Sequence, residues 1–195
     1  MRQYYTSPLT DALIVPQAAV SPGTTATSLL TLAQANKYLQ LPYGQNAPFP
    51  GQIFRFVLGG LATTPASGTV IVALYHGPGT TTTAFGTLIG TSETVTMPVS
   101  ATAGYFRIEG NVIYRSISEA ATTSTCWANA DFKIGGPSGG AISVVHGLIS
   151  SNAAVSVDTT GTAAAGLFGA LNVAVTPSVT GSTWTTEFAF IESLN

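Results

Sequence analysis

The chain has 195 residues, a net charge of −2 from six Lys/Arg and eight Asp/Glu, and a hydrophobic content of 45%. That apolar content excludes an intrinsically disordered chain, and the length suits one all-β domain that needs no disulfide to fold. Arg2, Lys37, Arg55, Arg107, Arg115 and Lys133 are scattered, which excludes a basic nucleic-acid surface, and no apolar run reaches the ~18 residues of a membrane-spanning helix.

Residues 1–50 carry Pro8, Pro16, Pro22, Pro42, Pro48 and Pro50, six of the eleven prolines. Each lacks a backbone donor and pushes its predecessor towards extended geometry, so this stretch cannot be a central strand. Its apolar islands, Ala12 to Val15 and Leu29 to Leu32, still favour burial. The expectation is an extended arm lying on a surface, either its own or a partner's, with a strand and a short helical turn within Leu29 to Leu41.

From Pro50 onward the pattern turns to strands. Gln52 to Leu58 alternates, with Ile53, Arg55 and Val57 on one face and Phe54, Phe56 and Leu58 on the other. Thr69 to His76 is rich in β-branched and aromatic residues and stops at Gly77-Pro78-Gly79. Further strands are predicted over Thr87 to Val95, Tyr105 to Glu109, Val112 to Ser118, Trp127 to Ile134, Ala141 to Ile149, Leu167 to Val175 and Trp184 to Ile191. Short strands divided by Gly/Ser/Thr/Pro stretches, with no sustained helical period, predict an all-β fold: a jelly-roll β-sandwich of about eight strands over residues 51–195, preceded by the arm. Ala141 to Ile149 and Leu167 to Val175 are almost continuously apolar, as in strands covered on both faces. The second cover is expected from the arm or from another copy of the chain.

The surface chemistry is sparse. Only 7% of residues are charged, against roughly 25% in an ordinary domain, so Thr, Ser, Ala and Gly, or neighbouring subunits, must cover the sandwich. Cys126 is the single cysteine and is expected to be a small buried hydrophobe rather than a reactive thiol. No N-x-[ST] sequon is present, and the opening residues MRQYYTSPLTDALIV lack the apolar core of a secretory signal. These features predict a chain made in the cytoplasm, reduced and unglycosylated.

Catalytic patterns dissolve on inspection. Gly136-Pro137-Ser138-Gly139-Gly140 matches G-x-S-x-G, but a nucleophile elbow needs a following helix, and this run reads as a turn. His76 and His146 could form a triad only if the fold brought them to Asp131 or Asp158, and with Cys126 they show no zinc-ligand spacing. Glu187 and Glu192, five apart on one predicted strand, should point to opposite faces. No phosphate loop, dinucleotide fingerprint or calcium loop occurs. The reading is therefore of a protein that is not an enzyme, with no catalytic residue, no metal and no cofactor. Non-catalytic sugar binding stays open, because Trp127, Trp184, Tyr75 and Tyr114 could offer stacking faces. An exposed tryptophan would favour it, and two buried ones would count against it.

The proline-punctuated start leads into GQIFRFVLGGLATTP and then TVIVALYHGPGTTTTAFGTLIG. It continues through GYFRIEGNVIYRSI and ends on WTTEFAFIESLN. In texture and strand order this layout resembles the capsid decoration (cement) and minor structural proteins of tailed bacteriophages. The resemblance implies a jelly roll that sits as a homotrimer on the outside of a phage head, bound to the major capsid protein, with the arm reaching across neighbouring subunits. In that setting Tyr4, Tyr5, Leu13, Ile14 and Val15 are the expected anchors of the arm, since aromatic and aliphatic side chains make effective interface residues. A receptor- or glycan-binding sandwich of a viral fibre or spike is the alternative. The major capsid protein of a small jelly-roll virus fits less well, because Arg2 is the only cation before Lys37.

Overall fold

Alternation in the sequence becomes two-sidedness in the computed structural model, which describes residues 16–42, 48–77, 86–117, 124–136, 143–145, 151–155 and 170–194. A two-residue strand β1 (Thr27–Ser28) precedes a short helix α1 (Leu32–Tyr38). Next come β2 (Ile53–Thr63), β3 (Thr69–His76), β4 (Thr87–Thr91), β5 (Val95–Thr96), β6 (Gly104–Ser116) and β7 (Ser124–Gly135). The remaining strands are β8 (Ser143–Val145), β9 (Ser151–Val155), β10 (Leu171–Pro177) and β11 (Thr183–Ser193).

These strands form two antiparallel sheets packed as a β-sandwich. A five-stranded sheet runs β1-β10-β3-β4, with β5 also on β3, and a six-stranded sheet runs β11-β2-β6-β7-β8, with β9 also on β7. In β2, Phe54, Phe56 and Leu58 turn inward and are fully buried, as the alternation requires. From β6 and β7, Phe106, Ile108, Val112, Tyr114, Cys126, Phe132 and Ile134 join them. Val70, Val72, Leu74, Ile89, Leu171, Val173 and Val175 close the core from the facing sheet. Trp184 lies entirely inside, edge-on to Phe106 at 5.1 Å between ring centroids, with its indole N–H donating to Ser182 Oγ at 3.1 Å.

The expected strands over Tyr105 to Glu109 and Val112 to Ser118 are one continuous thirteen-residue strand, β6. Gly110 does not break it. A Cβ there would stand 2.1 Å from the Asn129 carbonyl oxygen, so glycine serves a close approach of two strands rather than a turn. β11 carries a bulge between Thr186 and Phe188. Beyond it the buried positions shift from Trp184 and Thr186 to Ala189 and Ile191, so Glu187 and Glu192 share the outer side. This corrects the expectation of opposite faces, because the extra residue resets the alternation.

Segment 16–42 lies on the molecule's own sandwich. Val20 exchanges both backbone hydrogen bonds with Trp184 on the outer edge of β11, at 2.8 Å each, and the Gln17 amide donates to the Thr186 carbonyl. Thr27 and Ser28 pair with Val175 and Ala174 on the outer edge of β10, where the Leu29 amide also donates to the Val173 carbonyl at 2.9 Å. The chain then leaves the edge for α1, whose first turn is closed by a capping box between Thr31 and Gln34, and returns so that Leu39 accepts from the Leu171 amide. Leu29, Leu30, Ala35, Leu39 and Leu41 are buried in the core. One segment thus covers a free edge of each sheet, edges that would otherwise present unpaired backbone groups.

Candidate functional site

The two sheets differ in charge. The five-stranded sheet contains no Asp, Glu, Lys or Arg, whereas the six-stranded sheet carries Arg55, Arg107, Glu109, Arg115, Asp131, Lys133, Glu187 and Glu192. These are eight of the chain's fourteen charged residues. Since the inner faces are apolar, alternation sends all eight to the outer side. Four positive and four negative charges leave that face balanced.

Cross-strand register sets its pattern. Along β6 and β7 the outward pairs are Arg107 with Lys133, Glu109 with Asp131, Asn111 with Asn129, and Ile113 with Trp127. Arg55 on β2 stands beside Asn111 and Glu192. Its guanidinium binds Glu109 through Nε at 3.0 Å and through Nη2, and Glu192 through Nη1 at 2.8 Å. Arg107 Nη2 reaches the other Glu109 oxygen at 2.7 Å. Hydrogen bonding from Arg55, helped by Arg107 and Lys133, holds the Glu109 carboxyl below its usual range although partial burial opposes this. In return, Glu109 first and Glu192 second raise the Arg55 pKa.

Beside this network lies a cleft of about 360 Å³, walled by Arg55, Glu109, Asn111, Asn129, Asp131 and Leu194. Asn129 Oδ1 is buried there and accepts no hydrogen bond from the described residues. A second cleft, of about 280 Å³, opens over Ile113, Arg115 and the half-buried Trp127.

The other polar cluster is internal. His76 from β3 and Tyr114 from β6 meet across the sandwich, with Nε2 and the phenol oxygen 2.5 Å apart. Burial lowers the His76 pKa to about 4, raises that of Tyr114, and pushes the Cys126 thiol up to about 12. This arrangement holds neutral groups away from solvent. No group of three or more His, Cys, Asp or Glu that could hold a metal lies among the described residues.

Of the aromatic residues considered for stacking, Trp184 and Tyr114 are core residues, while Trp127 and Tyr75 stand half-buried on the outer faces of opposite sheets. Asp131 falls in the large cleft. Tyr4, Tyr5, Leu13, Ile14, Val15, Ser138, His146 and Asp158 lie outside the described residues. Asn111 and Asn129 were not singled out from the sequence. The available signal was their central place in two alternating stretches, Gly104–Ser116 and Ser124–Gly135, but their pairing across the ladder is a tertiary fact. No family model, curated protein or solved structure matches the chain.

Proposed function

We propose that this chain is a structural virion protein, a decoration protein that binds the outer surface of a phage head as a homotrimer and stabilises the shell. The observation that carries this reading is the asymmetry of the sandwich. One outer face is free of charge and presents Ile71, Tyr75 and Leu88, the two aliphatic ones 36% and 47% exposed. The other gathers charged and aromatic groups. An uncharged face suits permanent contact with copies of the chain, whereas a charged face with an aromatic anchor suits a partner of different chemistry, here the major capsid protein.

Two features of the topology support the jelly-roll reading. β2 pairs with β11 and β3 with β10, a nesting expected of a rolled ribbon. Within the six-stranded sheet the last strand in sequence, β11, lies beside the first, β2, as a returning strand does. Residues 1–15 act as the arm that reaches neighbouring shell subunits, with Tyr4, Tyr5, Leu13, Ile14 and Val15 as its anchors.

Quantitative mass spectrometry on density-purified particles tests this function. A copy number comparable with that of the major capsid protein is expected, and a few copies per particle or none would reject the shell role. Deleting residues 1–15 should weaken attachment to the shell, and unchanged attachment would reject the role given to the arm.

A further inference from the structure

We propose that the His76–Tyr114 pair is an acid-sensitive latch between the two sheets, and that in mildly acidic solution the end of the sandwich it closes opens while the Trp184 end stays shut. The pair joins the sheets across the core, with Nε2 and the phenol oxygen 2.5 Å apart. His76 is the last residue of β3 and stands opposite Leu171, the first of β10, and Thr87, the first of β4. Just beyond it, the described residues hold the seam by three backbone contacts. The Gly77 amide donates to the Ala170 carbonyl at 3.0 Å, the Leu171 amide donates to the Leu39 carbonyl at 2.9 Å, and Gln40 forms an isolated bridge with Ala170. On the facing sheet Tyr114 lies near the end of β6, where the Gly51 amide donates to its carbonyl at 2.7 Å. Phe106, which packs on Trp184, stands eight residues back along the same strand, roughly 27 Å away.

Chemistry makes this link conditional on pH. A neutral imidazole satisfies the Tyr114 hydroxyl in either tautomer, because Nε2 can donate or accept. An imidazolium would place a full charge in the core, and none of the described residues facing it carries a counter-charge. β4 offers Thr87, β10 offers Leu171, and β6 offers Tyr114, behind which lie Phe54 of β2 and Cys126 of β7. Tyr114 and Cys126 keep their protons, since burial raises both. Arg55, Glu109 and Arg115 belong to the outer side of the six-stranded sheet. Burial therefore sets the shift, holding the His76 pKa at about 4 against 6.5 in water. Protonation needs solvent, and parting the nearest strand ends breaks fewer contacts than unfolding the whole domain. Since the opened end binds the proton more tightly, its population rises as pH falls from 6.5 towards 4. Between pH 8 and pH 5 the gain is roughly thirtyfold.

Hydrogen exchange on the full chain at pH 8 and pH 5, corrected for the intrinsic rate at each pH, provides the test. Amides at the latch, in Val72 to His76, Val112 to Tyr114 and Leu171 to Val173, should lose protection by roughly thirtyfold at the lower pH. Those around Phe106 to Ile108 and Trp184 to Thr186 should keep theirs. Glu109 stays ionised at pH 5, because Arg55 holds its carboxyl below the usual range. His76→Gln retains a hydrogen-bonding partner for Tyr114 but does not titrate, so its protection at the latch should be the same at both pH values. If that variant loses its melting transition, the double variant His76→Leu with Tyr114→Phe takes its place, with the same expectation. Unchanged protection at the latch, an equal loss at both ends of the sandwich, or an acid response that persists without His76 would overturn the inference. The measurement uses the chain alone, so its outcome leaves the shell role to its own test.

Discussion

Enclosure between the sheets keeps His76 neutral. Its pKa of about 4 lies below the ordinary value of 6.5, so the unfolded chain takes up a proton at a pH where the folded chain does not. Stability should therefore fall as pH drops from 6.5 towards 4, and a series of thermal melts across that window would measure it. Glu109 acts lower: its carboxyl is depressed by Arg55, so its contribution is present above the unfolded carboxylate pKa and is lost as pH falls through the folded value. Tyr114→Phe should cost about 1–3 kcal/mol by leaving the imidazole without its partner. The double variant His76→Leu with Tyr114→Phe should recover most of that loss and flatten the upper pH window. Gly60 gives a second expectation at this scale. A Cβ there would sit 2.0 Å from the Thr185 carbonyl oxygen at the bulge, so Gly60→Ala should lower the melting temperature sharply, whereas Gly23→Ala, in open space, should not.

Single residues also show where the sequence stops being legible. Trp127 and Trp184 both stand in alternating strands, and nothing local says which faces inward. Around Trp127 the inward neighbours are Cys126 and Ala128, smaller and less hydrophobic than the tryptophan between them. Only the register against β6, which places Trp127 beside Ile113 on the outer side, decides it. The Arg55 network is equally non-local, since its two acids lie 54 and 137 residues away.

Among the elements, strands whose residues favour strand geometry could be read directly. Thr69 to His76 matches β3 end to end, and the alternation after Gln52 assigns the faces of β2. β9 could not be read this way, because Ser-Asn-Ala-Ala-Val has little strand preference and is held by pairing with β7. Segment 16–42 shows the reverse. Prolines excluded it from the middle of a sheet, but its position on the edges of β10 and β11 follows from where those edges lie in the fold. A chain lacking residues 1–42 should therefore lose five core side chains, expose two strand edges and aggregate. A chain lacking only residues 1–15 keeps the segment and should retain its melting temperature, with light scattering separating the two outcomes.

On the scale of the whole molecule, composition announced a shortage of charge but not its distribution. Alternation could place Arg55 on one face of its strand, yet gathering eight charges on one side required knowing which strands share a sheet. The proposed self-association through the uncharged face predicts that Ile71→Lys lowers the mass measured by analytical ultracentrifugation to that of one chain, with little change in melting temperature. It also predicts a self-association insensitive to added salt, in contrast to attachment through the charged face, which screening should weaken.

The edge-covering segment also bears on the order of events during synthesis. Thr186 Oγ1 hydrogen-bonds to the Leu29 carbonyl across 157 residues, and Ser28 meets Asn172 across 144. Residues 16–42 therefore emerge from the ribosome long before the strands they rest on exist. Until β10 and β11 follow, Leu29, Leu30, Leu39 and Leu41 have no core to enter. Closure must wait for nearly the entire described chain, a topology that slows folding and leaves a nascent chain with open strand edges. A translation product that stops before β10 is thus a candidate for degradation rather than assembly, so any population of assembled copies is drawn from chains that have passed this final pairing.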